Sequence, residues 1–273
     1  MGVGRLWGCP ATLPAYFAAV ITPPPCSGLG PQCRALDVVL RVTNVEDGVA
    51  SADDEATWLF GHTERIAFGN LRSEGDTWWA EARLIVPCQF LEEGPPGARC
   101  AAHGFQGTLP APDPSEVQPR QLGGDRFRLV QDGELVTGEF PTRARSLPVI
   151  QIENPCLTAP CQTADQVRGA ACCRDLQVDI RCDPEDRALE LLVRARKEPH
   201  FWLVDWVAEG ILGAEMISAC AYLDSHRNCA LHDRFRDNGE PAKPTICYAW
   251  PEPEDVFHDG CAFGSKTLPI WPG

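Results

Sequence analysis

Alternating apolar and polar residues mark several short strands along the chain. Residues 36–42 and 176–180 alternate in this way, and each segment closely follows a cysteine. Residues 126–137 contain two apolar runs separated by Asp132-Gly133, a dipeptide typical of hairpin turns. The pattern therefore predicts two single strands and one β-hairpin.

Helical periodicity is found in two other segments. Residues 188–196 place apolar side chains three and four positions apart, after Pro184 and before basic residues that favour a helix C-terminus. Residues 202–216 are also apolar and long enough for a helix. Taken together, the segments predict an α+β fold with short strands, a few helices and irregular, metal-anchored loops.

Two parts of the chain resemble each other. The ten residues from Cys33 to Val42 and from Cys173 to Cys182 agree at five positions. Each copy is followed by a second matching piece, which is Cys88-x-x-Leu91 with Cys100 in the first copy and Cys220-x-x-Leu223 with Cys229 in the second. Because the order is the same, the repeat predicts two related cysteine-rich halves. The expected divisions are 1–110, a connecting segment with the hairpin at 111–149, and 150–273.

Charge and hydrophobicity exclude several classes of protein. The chain has 273 residues, 44% of them hydrophobic, which is enough for a packed core. Its 38 acidic and 24 basic residues give a formal net charge of −14. Such a balance disfavours nucleic-acid partners and anionic membranes. The most apolar long stretch, residues 201–223, contains three acidic residues, so it is not expected to cross a membrane, and a cytoplasmic location is predicted.

Cysteine is the most informative residue type. The chain has 14 cysteines, an even number that fits either disulfides or thiolate ligands in groups of four. Cys172 and Cys173 are adjacent, and neighbouring cysteines rarely bridge to each other, whereas both can join one metal centre. The pattern favours a metal ion or cluster, and a secreted disulfide-bonded binding protein stays open as an alternative.

The order of cysteines in the second half resembles the YkgJ-like family of bacterial cysteine-cluster proteins, described as zinc- or iron-chelating domains. The matching features are an adjacent cysteine pair in Gly-Ala-Ala-Cys-Cys, a Cys-x-x-Leu segment and a Cys-Tyr-Ala-Trp-Pro segment. One departure is the long spacing of ten residues between Cys161 and Cys172. The resemblance implies that eight cysteines bind metal: Cys156, Cys161, Cys172, Cys173, Cys220, Cys229, Cys247 and Cys261.

Counting thiolates in groups of four defines the candidate sites. Zinc and iron–sulfur clusters both take four thiolates, so the second half has enough cysteines for two centres. The first half has enough for one more, from Cys26, Cys33, Cys88 and Cys100. Cys182 matches Val42 in the repeat and is therefore expected to be a small buried side chain. Gln32 stands where Cys172 would be, so we expect the stronger site in the second half.

The predicted function is a metal-binding protein that holds zinc or an iron–sulfur cluster, with a structural or regulatory role. Flagellin lysine methylases contain a related cysteine cluster, so the resemblance makes an iron–sulfur enzyme or electron carrier the second hypothesis. No S-adenosylmethionine motif, phosphate-binding glycine loop or dinucleotide fingerprint is present in the sequence. The sequence indicates neither a substrate nor a protein partner.

Overall fold

The computed structural model describes residues 22–42, 52–95, 97–112, 126–131, 134–139, 173, 175–197, 201–223, 229–231, 234–236, 239, 241–244 and 247. A short 3₁₀ turn, Pro31–Cys33, precedes the first strand. The strands of the first half are β1 Leu36–Arg41, β2 Ile66–Glu74, β3 Thr77–Leu84, β4 Leu91–Gly94, β5 Gly97–Cys100 and β6 Gln106–Gly107. The later strands are β7 Arg126–Gln131, β8 Glu134–Glu139, β9 Asp175–Arg181, β10 Phe201–Ala208 and β11 Ile211–Ile217. The helices are α1 Ala52–Gly61 and α2 Arg187–Arg194.

A six-stranded antiparallel sheet forms the centre of the structure. Its strand order is β10-β11-β9-β1-β3-β2, so three strands come from each predicted half. The two inner strands β1 and β9 join the halves, with Leu40 opposite Ile180. Buried side chains of both halves belong to one hydrophobic core. The halves are therefore parts of one folded unit along this sheet.

The two halves use the same elements in the same order. Each has a strand, a helix and then a hairpin whose second strand pairs with the first strand of that half. The registers also correspond, with Leu36 opposite Leu84 in the first half and Leu176 opposite Met216 in the second. This correspondence supports an internal duplication, while the boundaries 1–110, 111–149 and 150–273 stay a prediction.

The predicted α+β class is wrong, because strands make up 46% of the described residues and two helices only 15%. The main error is residues 202–216, which form the hairpin β10–β11. Gly210 makes its turn at a φ of 75°, a conformation that glycine adopts readily. Strand β11 is paired on both edges and mostly buried, so its apolar run lacks the alternation of a half-exposed strand.

Several local predictions are confirmed. Strands β1 and β9, helix α2 and the hairpin β7–β8 occur where the sequence pattern predicts them. Cys182 is 1% exposed and packs in the same core as Val42, as the repeat predicts. No helix among the described residues is both long and apolar enough to cross a membrane.

Candidate metal centre

Four cysteines of the first half lie around one small cavity. Cys26 precedes the 3₁₀ turn and Cys33 ends it, Cys88 follows β3, and Cys100 ends β5. The cavity has a volume of about 20 Å³, which is room for one or two water-sized spheres. These are the four residues that the sequence predicts for the first-half site.

Backbone hydrogen bonds hold the cysteine segments in place. The Cys88 N–H donates to the Cys33 carbonyl at 2.8 Å, and the Cys100 N–H donates to the Phe105 carbonyl at 2.9 Å. The segment after Cys33 is also tied down, because the Arg34 guanidinium bonds to Glu93 on β4 at 2.6 Å. The thiols are thus carried on backbone that the fold itself orders.

Arg196, from the second half, closes the cavity. Its side chain is 4% exposed and lies just beyond α2. The Nε donates to the Leu192 carbonyl at 2.8 Å, and Nη1 donates to the carbonyls of Gln32 and Val86 at 3.1 Å each. The buried Nη2 has no hydrogen-bond partner among the groups that the structure describes. A buried guanidinium therefore sits beside the thiols with part of its hydrogen-bonding capacity unused.

The charges in the cavity act on one another. Burial raises the pKa of the Cys26 thiol, and the nearby sulfurs of Cys33, Cys88 and Cys100 raise it further. Burial also raises the pKa of Cys88, while the Phe90 N–H that donates to its sulfur and the Arg196 guanidinium lower it. The pKa values of Cys26 and Cys88 are therefore raised overall, so these two thiols favour their protonated form when no metal ion is bound.

His103 lies at the edge of this group. Its Nδ1 is 3.4 Å from the Cys100 sulfur, and its ring stacks on Phe105 with the ring centres 5.5 Å apart. The side chain is exposed. The structure thus places one imidazole next to the four thiols, outside the set of four.

The donor set of this cavity fits a thiophilic ion. Four thiols are the usual ligands of a structural zinc site, and Cys26, Cys33 and Cys88 carry no disulfide. Within the described part of the chain, no three His, Cys, Asp or Glu side chains are already close enough together to hold an ion. Side-chain rotations of the thiols would have to accompany binding, as is common when metal binding is coupled to folding.

The predicted second-half ligands are described only in part. The Cys220 N–H donates to the Cys173 carbonyl at 2.8 Å, and Cys229 pairs with Leu223. Cys220 and Cys229 both pack against a small core, and the Cys247 N–H bonds to the carbonyl of Pro244 at 2.9 Å. Four predicted ligands lie outside the described residues: Cys156, Cys161, Cys172 and Cys261. The ranking of the second site as the stronger one stays a prediction.

Sequence reasoning missed Arg196, which it interpreted only as a basic residue at a helix end. A signal exists in the repeat, since Arg196 precedes Cys220 by 24 residues and His62 precedes Cys88 by 26. Arg196 and His62 therefore have corresponding positions in the two halves, although their side-chain chemistry differs.

Comparisons with protein-family models, with curated proteins and with solved structures gave no match.

Proposed function

We propose that this chain is a metal-binding protein whose first-half cysteines hold a single zinc ion in a structural role. One observation carries the proposal. Thiols from separate segments of the chain line one cavity, together with a buried guanidinium: Cys26, Cys33, Cys88, Cys100 and Arg196. Thiolates are soft ligands, and four of them complete the tetrahedral shell of a structural zinc site.

The buried charge of Arg196 favours thiolates over neutral thiols. A guanidinium stays charged in proteins. Removing the partner of a buried charge destabilises a folded protein by about 3–5 kcal/mol, because the remaining charge is left uncompensated. Burial lowers the pKa of Arg196, and negative charge on the sulfurs of Cys88, Cys33 and Cys26 acts in the opposite direction and raises it. Four thiolates and one divalent cation carry a net charge of about −2, which a neighbouring guanidinium stabilises.

The size of the cavity favours one ion over a cluster. A volume of about 20 Å³ accommodates a single ion among the sulfurs, whereas a four-iron cluster also brings its own sulfides. Iron remains the second candidate metal, and an iron–sulfur enzyme or electron carrier the second candidate function. Visible absorption of the purified protein separates these from zinc, because zinc is colourless and the clusters are not.

The role follows from what the four thiols connect. They lie before β1, after β3 and at the end of β5, and the small core beside them has only three buried residues among those described: Cys33, Ala98 and Leu109. A bound zinc ion supplies four bonds that cross-link these segments. Reduced thiols persist in the cytoplasm, which is the location that we propose.

The test is metal analysis of the full chain purified without oxygen, for the wild type, Cys88→Ser and Cys182→Val. Cys88→Ser should lose about one equivalent of zinc, because a closed site needs all four thiolates. Cys182→Val is the matched control, since Cys182 is equally buried but lies in the core of the sheet. It should keep the wild-type metal content. Wild-type protein without bound metal, or equal metal in Cys88→Ser and wild type, contradicts the proposal.

A further inference from the structure

The cysteine loops after β3 and β11 have the same backbone arrangement. The Cys88 N–H bonds to the Cys33 carbonyl and the Cys220 N–H to the Cys173 carbonyl, both at 2.8 Å. Three residues further on, each loop turns back with a 3.0 Å bond to the carbonyl of its cysteine, from Leu91 in one loop and Leu223 in the other. The two loops are therefore structurally equivalent, residue by residue.

Each loop is also paired with the helix end of the opposite half. Cys88 forms a β-bridge with Arg196, and Cys220 forms one with His62. The adjoining bonds correspond as well, with Gln89 N to Ala195 O at 2.8 Å and Ala221 N to Gly61 O at 2.6 Å. Each helix end thus contacts the cysteine loop of the other half. His62 has the same position relative to Cys220 that Arg196 has relative to Cys88.

The two side chains are anchored alike. Arg196 Nε donates to the carbonyl of Leu192, four residues earlier, at 2.8 Å. His62 Nδ1 lies 2.9 Å from the carbonyl of Trp58, also four residues earlier. A carbonyl oxygen can only accept, so Nδ1 carries the hydrogen. His62 is 0% exposed, and its counterpart Arg196 is also buried.

This anchoring suits a metal ligand. A histidine whose Nδ1–H donates to a backbone carbonyl has its lone pair on Nε2, which is the usual arrangement of zinc-bound imidazole. The Cys220 sulfur also lies close to Gly61, the residue before His62. A Cβ built on Gly61 would be 3.3 Å from this sulfur.

We propose that His62 supplies a nitrogen ligand to a second metal centre, together with the thiolates of Cys173, Cys220 and Cys229. As in the first centre, the thiol side chains would have to rotate towards the ion on binding. Charge accounts for the difference between the halves. Four thiolates, a divalent ion and Arg196 sum to −1, and three thiolates, a divalent ion and neutral His62 sum to the same −1. A histidine in place of Arg196 therefore takes over one ligand position and removes the need for a buried cation.

The inference rests on the proposed metal-binding function and is tested by X-ray absorption at the zinc edge. The samples are the zinc-loaded full chain as wild type, His62→Leu and His103→Leu. We expect imidazole scattering in the wild type and in His103→Leu, and its loss in His62→Leu together with about one zinc per chain. His103 is the control because it is the histidine next to the first centre.

The outcomes separate this inference from the proposed function. Wild-type protein that binds zinc through sulfur alone overturns the role of His62 and leaves the first centre standing. Imidazole scattering that persists in His62→Leu, or that disappears in His103→Leu, overturns it as well. If His62→Leu does not fold, the wild-type spectrum still decides. Wild-type protein that binds no zinc overturns both proposals.

Discussion

Replacing Arg196 by methionine removes the buried positive charge from the candidate centre and keeps much of the side-chain volume. Three hydrogen bonds to backbone carbonyls are lost with it. Hydrogen bonds to charged groups contribute about 1.5–3 kcal/mol each. Removing the guanidinium also removes its desolvation penalty, which is several kcal/mol for a buried ion. In metal-free protein these two effects are of similar size, so the free energy of unfolding should change by no more than about 2 kcal/mol.

The zinc-loaded protein should respond differently. There the guanidinium neutralises part of the charge of the thiolate centre, and loss of such an outer partner typically weakens metal binding about 10- to 100-fold. That range corresponds to about 1.4–2.8 kcal/mol. The effect should therefore be seen in zinc affinity, and in stability only when zinc is bound.

The assay is competition for zinc with a chromophoric chelator, combined with urea unfolding of the loaded and chelated protein. Arg194→Met is the matched control, because Arg194 is on the same helix end but pairs with Glu190 and Asp205. It should leave zinc affinity unchanged. Wild-type zinc affinity in Arg196→Met would refute the reasoning, and so would an equal loss of stability in the loaded and chelated protein.

Three further expectations concern stability and thiol reactivity. Burial and then the nearby Asp186 raise the pKa of Cys182 to about 11 from the usual 9.0. The stability contributed by this protonated thiol is present below about pH 9 and lost towards pH 11, so urea unfolding of Cys182→Val should show a weaker alkaline loss. Chelation should lower the melting temperature and expose about four more thiols to a thiol reagent from the first centre alone, or about seven if the second centre also binds zinc, with Cys182 protected until unfolding. Gly210→Ala should destabilise by about 1–2 kcal/mol because of the positive φ, whereas Gly94→Ala should change stability by less than about 0.5 kcal/mol in the same urea titration.

The grouping of the four first-half cysteines around one cavity was predictable because its signal is chemical and local. Cysteine is rare and its spacing within the repeat is specific, so Cys33, Cys88 and Cys100 were matched without knowledge of the fold. The structure brings them together with Cys26 because β1 and β3 are neighbours, and the loop after β3 therefore returns to the segment before β1.

The fold class and Arg196 were not predictable in the same way. Strand β11 is mostly apolar on both faces and lies inside the sheet, and an apolar run of that kind does not distinguish a buried strand from a helix. Arg196 lies more than 90 residues from any cysteine of the cavity that it closes. Its position depends on the pairing of β1 with β9, which is a tertiary contact between the halves.

The contact of each helix end with the cysteine loop of the other half makes the two centres depend on each other. Because Arg196 belongs to the second half and its carbonyl partners Gln32 and Val86 to the first, the first centre is complete only when both halves are folded. The same holds for Cys220 and His62 with the halves reversed. The pairing of Leu40 with Ile180 places the corresponding strands side by side at the centre of the sheet, which brings each helix end to the opposite cysteine loop. Metal bound at either of the two proposed centres would therefore stabilise the contact between the halves and not one half alone.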